Sequence, residues 1–272
     1  MNKKLFIMGA PNAGKSTFLA ALWYSVNQKT VQTKLTLSKM KGDSNYLHTI
    51  GIKWLQVERL ERTAIGQEKE QLSILLSNGR DEMEVEFPDL SGETFQNIYE
   101  KREMSIELKQ KIMDSDAILY FVNVEDIHVP EFISELPSQF RQGENLAKGR
   151  VPCEDDPTQV QIIDLLQVIL GIKKNINLGI VFSAWDLIDK DEQTEVAAYL
   201  QKNLNMLWQY LQSNKNIISM KIWGVSAIGG KIEEGDKLLD FEDQIKRIKV
   251  VNDRGEISND LTSIISEVSG DI

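Results

Sequence analysis

A loop close to the start of the sequence limits the possible folds most. The residues Gly9-Ala-Pro-Asn-Ala-Gly14-Lys15-Ser16 match G-x-x-x-x-G-K-[ST] at every fixed position. An apolar, strand-like run at 5–8 precedes them and a run of helix formers follows. Glycines let such a loop curl, so that backbone N–H groups and the N-terminus of the next helix face one anion. The loop therefore predicts an α/β chain that binds a nucleoside triphosphate.

Each part of this loop has an expected role. Lys15 is expected to reach the outer phosphates and to take part in catalysis. The Ser16 hydroxyl is expected to bind Mg²⁺, because that ion prefers hard oxygen ligands. The predicted phosphate-binding residues are Gly9, Asn12, Ala13, Gly14, Lys15, Ser16 and Thr17.

Charge and composition exclude several classes of protein. The chain has 272 residues, and 31 Lys and Arg against 41 Asp and Glu give a net charge of −10. Such an acidic chain is a poor general binder of phosphate backbones, so nucleic acid is not an expected partner. No apolar run approaches the roughly 18 residues of a membrane span. The single cysteine, Cys153, cannot form an intrachain disulfide and fits a cytoplasmic location.

Strand-like and helix-like segments alternate along the chain, which predicts a three-layer α/β fold. We expect a single domain over 1–272, with insertions near 29–62 and 127–157 and a hairpin in 228–257. The sheet is predicted to be mostly parallel, with six strands of which one is antiparallel. The predicted strands are 5–8, 72–77, 83–90, 117–124, 178–183 and 217–225, and the main predicted helices are 15–28, 95–113, 158–170, 191–213 and 260–268. The first insertion holds a possible further strand at 35–39 and a possible short helix at 45–57.

A D-x-x-G motif, Asp89-Leu-Ser-Gly92, comes at the end of a predicted strand. An aspartate in that place can hold a metal ion through water, and the Gly92 N–H can meet a terminal phosphate. Glu93 follows directly. Its carboxylate either orients the attacking water or caps the next helix, where the helix dipole favours an acid.

Two further motifs end later strands. Asp186 closes the sequence Ser-Ala-Trp-Asp, and its carboxylate can accept two hydrogen bonds from guanine N1 and N2, which adenine does not offer. The alternative is that Asp186 only caps the helix after it. Ser226 and Ala227 end the last predicted strand, where a backbone N–H can reach the guanine carbonyl oxygen.

In this order the motifs GAPNAGKS, DLSG, SAWD and SA resemble those of the Ras-like P-loop GTPases of the translation-factor-like class, over about residues 3–227. The phosphate loop is especially similar to that of the Era and TrmE group. The pattern also resembles GTPases of bacterial conflict or defence operons. The resemblance implies a Ras-like fold, GTP and GDP as ligands, Mg²⁺, and protein partners.

The family's N-K-x-D motif is altered in this chain. Ser183 replaces the Asn, and Ala184 replaces the Lys whose stem lies along the guanine ring in the family. Trp185 either supplies an aromatic face to the base or packs in the core. Guanine recognition is therefore expected to depend mainly on Asp186.

The family also places a Thr before the strand that pairs with the D-x-x-G strand, where it completes the Mg²⁺ shell and touches the terminal phosphate. Thr63 is the candidate by position, and Thr49 is the alternative. Arg59 and Arg62 lie near Thr63 and are candidates for an arginine finger within the chain. A finger supplied by a partner is the other possibility.

These features predict a GTP-binding switch protein with slow, Mg²⁺-dependent GTP hydrolysis. It would act through a protein effector or an activating partner, because a triphosphate holds switch segments that relax after hydrolysis. Two alternatives stay open: an ATP-using P-loop protein, and a nucleotide-binding scaffold without hydrolysis.

Overall fold

A computed structural model describes residues 2–28, 31–60, 72–87, 93–130, 151–189, 191, 193 and 195–270. The strands within them form one sheet in the order β2-β3-β4-β1-β5-β6-β7-β8-β9. The strands are β1 (Asn2–Gly9), β2 (Thr36–Lys41), β3 (Leu72–Ser77), β4 (Glu82–Phe87), β5 (Ala117–Asn123), β6 (Ile176–Ser183), β7 (Ile218–Ser226), β8 (Lys249–Asn252) and β9 (Ile257–Ser258).

The predicted α/β class is confirmed, but the sheet is larger than the six strands expected. In the described residues it has nine strands, of which the central β4, β1, β5, β6 and β7 are parallel. β3 is the expected antiparallel strand. The difference comes from the insertions: β2 pairs antiparallel with β3 at one edge, and the β8–β9 hairpin pairs antiparallel with β7 at the other.

Helices cover both faces of this sheet, because its parallel strands carry apolar side chains on both sides. The helix Lys15–Gln28 and the closing helix Thr262–Val268 cover one face. The helix Ser44–Leu55 joins the same core. The other face carries the helices Glu93–Lys101, Ile106–Asp114, Thr158–Ile172, Val196–Asn203 and Asn205–Ser213. The helices are Lys15–Gln28, Ser44–Leu55, Glu93–Lys101, Ile106–Asp114, Pro152–Asp155, Thr158–Ile172, Val196–Asn203, Asn205–Ser213, Gly235–Leu239 and Thr262–Val268.

Two long helices predicted from periodicity are each interrupted, so both predictions were wrong in length. The segment predicted as 95–113 is two helices, because Arg102 adopts a φ of 59° and Ser105 caps a new helix by accepting the Leu108 N–H. The segment predicted as 191–213 breaks at Leu204, whose φ of −131° and ψ of 50° are not helical. The helices before and after each break pack against the same hydrophobic core.

The insertion that follows the first helix contains the helix Ser44–Leu55. Asp43 caps this helix, since its Oδ1 accepts the N–H groups of Asn45 and Tyr46. The helix packs against Lys15–Gln28, and Trp54 near its end is only 2% exposed. The insertion therefore joins the core that lies behind the phosphate loop.

The strand order places a crevice beside the carboxyl end of β1. After β1 the chain forms β2, β3 and β4, which all lie on one side of β1 in the sheet, whereas β5 lies on its other side. Such reversal points are where open α/β sheets bind ligands. The register aligns Gly9 with Phe121, and Asn123 with Ser183 and then Val225. The residues after these strand ends therefore lie side by side.

Across the described chain, no helix has both the length and the apolar character needed to cross a membrane.

Candidate nucleotide-binding site

The phosphate loop runs directly from β1 into the first helix. Its curl uses backbone conformations that favour glycine, with φ of 150° at Gly9 and 84° at Gly14, and φ of 59° at Asn12. A Cβ on Gly9 would lie 2.6 Å from the Phe121 carbonyl oxygen, and one on Gly14 would lie 2.8 Å from the Ser183 side chain. Both glycines are thus required by close approach as well as by φ.

Lys15 lies within the curl of this loop and is 2% exposed. Its Nζ donates hydrogen bonds of 2.8 Å to the carbonyl oxygens of Gly9 and Ala10. The ammonium group therefore lies close to the loop backbone, where phosphate oxygens would have to approach. A cation held here lowers the cost of bringing an anion into the loop.

Two neighbouring strands support the loop from behind. The Ser183 hydroxyl at the end of β6 donates a 2.9 Å hydrogen bond to the Ala13 carbonyl oxygen. The Asn123 amide at the end of β5 donates a 3.3 Å hydrogen bond to the Asn12 carbonyl oxygen. These bonds attach the phosphate loop to the ends of β5 and β6.

The loop forms one wall of a cavity of about 1260 Å³, large enough for a nucleotide. The Asp186 segment and the residues after β7 line the same cavity. Of the residues predicted from sequence, Gly9 and Ser226 do not line it, because each is buried at its strand end. Those that line it are Asn12, Ala13, Gly14, Lys15, Ser16, Thr17, Asp186 and Ala227.

Asp186 is brought to the cavity by a tight turn after β6. Ala184 adopts a φ of 55° and begins a short 3-10 helix, Trp185–Leu187, that has no side-chain cap. Asp186 lies within this turn, half-buried, and lines the cavity. The turn therefore presents the carboxylate to the same space as the phosphate loop.

Trp185 packs in the core, which decides between the two alternatives for this residue. It is 2% exposed and contacts the rings of Phe182 and Tyr199 at centroid distances of 5.9 and 5.0 Å. Its Nε1 donates a 2.6 Å hydrogen bond to the Gln193 carbonyl oxygen. A Cβ on Gly224 would lie 2.3 Å from the indole ring, so the ring also fills the space above β7.

The loop after β7 is fixed by two hydrogen bonds. The Ser226 hydroxyl accepts the Gly229 N–H at 3.1 Å, which closes a tight turn. The Ala227 carbonyl oxygen accepts the indole N–H of Trp54 at 2.8 Å. The Ala227 backbone is thus held at the wall of the cavity that Asp186 also lines.

A family model named Double-GTPase 1 matches residues 6–268. The chain belongs to the Double-GTPase 1 family. It is a P-loop GTPase, which binds guanine nucleotide and hydrolyses GTP. No curated protein matches the sequence.

Several solved GTPase structures are similar to this Double-GTPase 1 chain. The Arl6 BBS3 small GTPase of Trypanosoma brucei, solved with the analogue GppNp, is 12% identical with a TM-score of 0.41, covering 88% of this chain and 95% of that one. The G domain of the Thermotoga maritima iron transporter FeoB is 13% identical with a TM-score of 0.32, and the match covers 87% of this chain and 95% of that one. The putative nucleolar GTP-binding protein 1 of Plasmodium falciparum is 14% identical with a TM-score of 0.40, and the match covers 88% of this chain and 84% of that one. The family assignment rests on the family match and not on these scores.

Several predicted switch residues of this Double-GTPase 1 chain lie outside the described residues. They are Arg62, Thr63, Asp89 and Gly92, and the side chain of Glu93 is outside them too. Glu93 is the first residue of the helix Glu93–Lys101. The alternative Thr49 lies within the helix Ser44–Leu55, where its hydroxyl donates to the Asn45 carbonyl oxygen, and it does not line the cavity.

Arg59 lines the cavity and is the one candidate arginine finger that the structure describes. Its side chain is 82% exposed, and its guanidinium lies 3.9 Å from the carboxylate of Glu233, which also lines the cavity. In the described ranges, no cluster of three or more His, Cys, Asp and Glu side chains could hold a metal ion by itself.

Trp54 is a residue of the site that no sequence motif indicates. It does pack in the core, but it also lines the cavity and bonds the Ala227 loop. No short motif marks it, since its partner is 173 positions away. Only the tertiary structure brings the two together.

Proposed function

We propose that this GTPase is a guanine-nucleotide switch that hydrolyses GTP slowly with Mg²⁺ and acts through a protein effector or an activating partner. One observation carries the proposal: the phosphate loop and Asp186 line the same cavity. A triphosphate bound at the loop would extend its purine toward Asp186. We further propose a single domain, since all described strands share one sheet, and a cytoplasmic location, which suits the single cysteine.

The phosphate end of the site would act through charge and positioning. The Lys15 ammonium would exchange its bonds to the Gly9 and Ala10 carbonyl oxygens for bonds to the outer phosphates. Backbone N–H groups of the loop and the start of the helix Lys15–Gln28 would bind the remaining oxygens. Phosphoryl transfer depends chiefly on such preorganised positive groups.

The base end would select guanine. The Asp186 carboxylate is proposed to accept hydrogen bonds from guanine N1 and N2, and the Ala227 N–H to donate to the carbonyl oxygen at C6. Because Ala184 offers no long stem and Trp185 is buried in the core, the base ring would receive no stacking from this motif. Selectivity would then depend on hydrogen bonds, whose absence is costly in a buried site.

The chain also offers part of a magnesium site. Ser16 lines the cavity next to Lys15. Its hydroxyl oxygen is the kind of ligand that Mg²⁺ prefers. Thr63 and Asp89 are proposed to complete the site on the strength of the resemblance. Mg²⁺ would supply charge neutralisation between the outer phosphates.

Hydrolysis is proposed to be slow without a partner. Glu93 would orient the attacking water, but its carboxylate would repel the phosphate charge. Arg59 would reduce this repulsion only if its exposed side chain left Glu233 and moved toward the phosphates. Loss of the terminal phosphate would release Thr63 and Gly92 and relax the two switch segments, which is the change that a partner would recognise.

The proposal is tested by changing the base specificity. Calorimetry should show tight binding of GDP and weak binding of ADP to the unchanged protein. Asp186→Asn should lose affinity for GDP and gain affinity for xanthosine diphosphate, because xanthine presents an acceptor where guanine presents a donor. Equal affinity for GDP and ADP, or a variant without gain for xanthosine, would contradict the base assignment.

Hydrolysis is tested separately by single-turnover phosphate release from bound GTP, with and without Mg²⁺. A slow release that requires Mg²⁺ supports the switch. Complete absence of release, also with candidate partners added, would leave a nucleotide-binding scaffold and contradict the enzymatic part of the proposal.

A further inference from the structure

Two insertions that line the cavity contact each other. The first contains the helix Ser44–Leu55, and the second follows β7. Their central contact is the 2.8 Å hydrogen bond from Trp54 Nε1 to the Ala227 carbonyl oxygen. The Ala227 residue whose N–H is proposed to read the base therefore has its own carbonyl group held by a side chain from a distant segment.

Trp54 is itself held in place on several sides. Its ring lies 5.1 Å from the Tyr24 ring and 4.2 Å below the Arg247 guanidinium, measured to the ring centroids. Arg247 also donates a hydrogen bond to the Trp54 carbonyl oxygen. A cation over a desolvated indole is an attractive contact. The indole N–H thus has a fixed direction before any ligand binds.

Arg247 connects this cluster back to the base loop. It is 1% exposed, and burial lowers the pKa of its guanidinium to about 10, which leaves it charged at neutral pH. Gly229 lies against its backbone so closely that a Cβ there would be 2.5 Å from the Arg247 carbonyl oxygen. The loop from Ser226 to Gly229 is thus enclosed by Trp54 on one side and Arg247 on another.

The same tryptophan lies at the end of the segment that leads toward Thr63. Val57 has a φ of 59°, which turns the chain after the helix, and the residues 57–60 line the cavity. A change in the conformation of the base loop would therefore alter the contacts of Trp54 and of the chain just before the proposed switch.

We propose that Trp54 is a positioning residue for guanine recognition: its indole N–H holds the Ala227 loop in the conformation that contacts the base. This role would compensate in part for Ala184, which cannot support the purine ring. The inference rests on the proposed function, because it concerns how the same site recognises its base.

The test is Trp54→Phe, which keeps an aromatic ring under Arg247 but removes the N–H donor. Affinity for GDP should fall by about tenfold, the usual worth of a hydrogen bond that leaves a buried acceptor unpaired. Affinity for tripolyphosphate, which lacks the base, should stay within about twofold because the phosphate loop is untouched. Trp208→Phe, on the opposite face of the sheet, is the matched control and should change neither value.

A second measurement uses the unchanged protein and does not depend on the variant folding. The indole N–H signal of Trp54 in a ¹⁵N–¹H spectrum should move when GDP is added and stay in place with tripolyphosphate. Unchanged GDP affinity in Trp54→Phe, an equal loss for both ligands, or a signal insensitive to GDP would overturn the positioning role. Failure of the unchanged protein to bind GDP would instead overturn the proposed function, and calorimetry reveals this before any variant is made.

Discussion

The Ser183 hydroxyl donates a 2.9 Å hydrogen bond to the Ala13 carbonyl oxygen, and this bond joins the strand that carries the Asp186 turn to the phosphate loop. Both residues are buried. Ser183 also lies so close to Gly14 that no Cβ fits between them. The two ends of the proposed nucleotide site are therefore fixed to each other before a ligand arrives.

Ser183→Ala should weaken GDP binding by about fivefold, since the net contribution of one such hydrogen bond is about 1 kcal/mol. The loss arises because the Ala13 carbonyl is left without its donor and the loop can relax. Calorimetric titration measures it. Ser269→Ala, which removes another buried hydroxyl bonded to a backbone carbonyl, is the control and should bind GDP normally. Equal behaviour of the two variants would count against a role of Ser183 in the loop.

Lys15→Met should abolish most nucleotide affinity, with a loss of roughly a hundredfold, because a charge-assisted bond to phosphate cannot be replaced by a thioether. The side-chain volume is kept, so the buried position stays filled. Lys173→Met is the matched control: Lys173 also donates to two backbone carbonyl oxygens, those of Met113 and Ser115, but it does not line the cavity. Titration with GDP separates them, and a Lys15 variant that binds like the control would contradict the phosphate role.

Local signals were enough to predict the central fold. Short apolar runs predict β5 and β6, and the phosphate-loop motif before Lys15 predicts the start of the first helix. The phosphate loop, the Asp186 turn and Ala227 were placed at strand ends, and parallel strands bring such ends to one edge. Their neighbourhood therefore followed from topology.

The parts that sequence did not predict depend on distant contacts. The sequence indicates a possible strand at 35–39, where β2 forms, but no local pattern specifies that it pairs with the edge of β3. The predicted helix 95–113 does not include the break before Ser105, although Ser is a favoured residue at the start of a helix and Ser105 caps the helix Ile106–Asp114. The Trp54–Ala227 bond spans two insertions and has no signature in either.

Gly14→Ala should both destabilise the protein and impair nucleotide binding. A methyl group there would lie 2.8 Å from the Ser183 side chain, at a φ of 84° that L residues rarely adopt. Gly79→Ala is an informative control, because Gly79 has a similar φ of 90° while nothing in the described chain lies within 4 Å of its Cβ position. The control should cost about 1 kcal/mol from φ alone, and Gly14→Ala should cost more.

Thermal unfolding measures the free energies of both glycine variants, and GDP titration measures their binding. Pairing Gly14→Ala with Ser183→Gly should recover part of the stability, since it removes the neighbouring side chain. Equal destabilisation by the two single glycine variants would show that crowding against Ser183 has no role.

Cys153 should react slowly with thiol reagents in the folded protein. Burial, and after it the Glu100 carboxylate, raise the pKa of its thiol from the ordinary 9.0 to about 12. Only the thiolate reacts, so at pH 8 the folded chain should react about a thousandfold more slowly than the unfolded chain. Dithionitrobenzoate, followed by absorbance with and without urea, gives both rates for this single cysteine.

The direction of the pH dependence follows from the same shift. The folded protein should react about tenfold faster for each pH unit between 8 and 11, whereas the unfolded chain should level off near pH 9. Because the unfolded thiol ionises first, its contribution to stability is present below pH 9 and is lost as pH rises toward 12. Glu100→Gln should raise the folded rate by removing the smaller, electrostatic cause while burial remains. A folded rate that levels off near pH 9 would show that the thiol is not held in this environment.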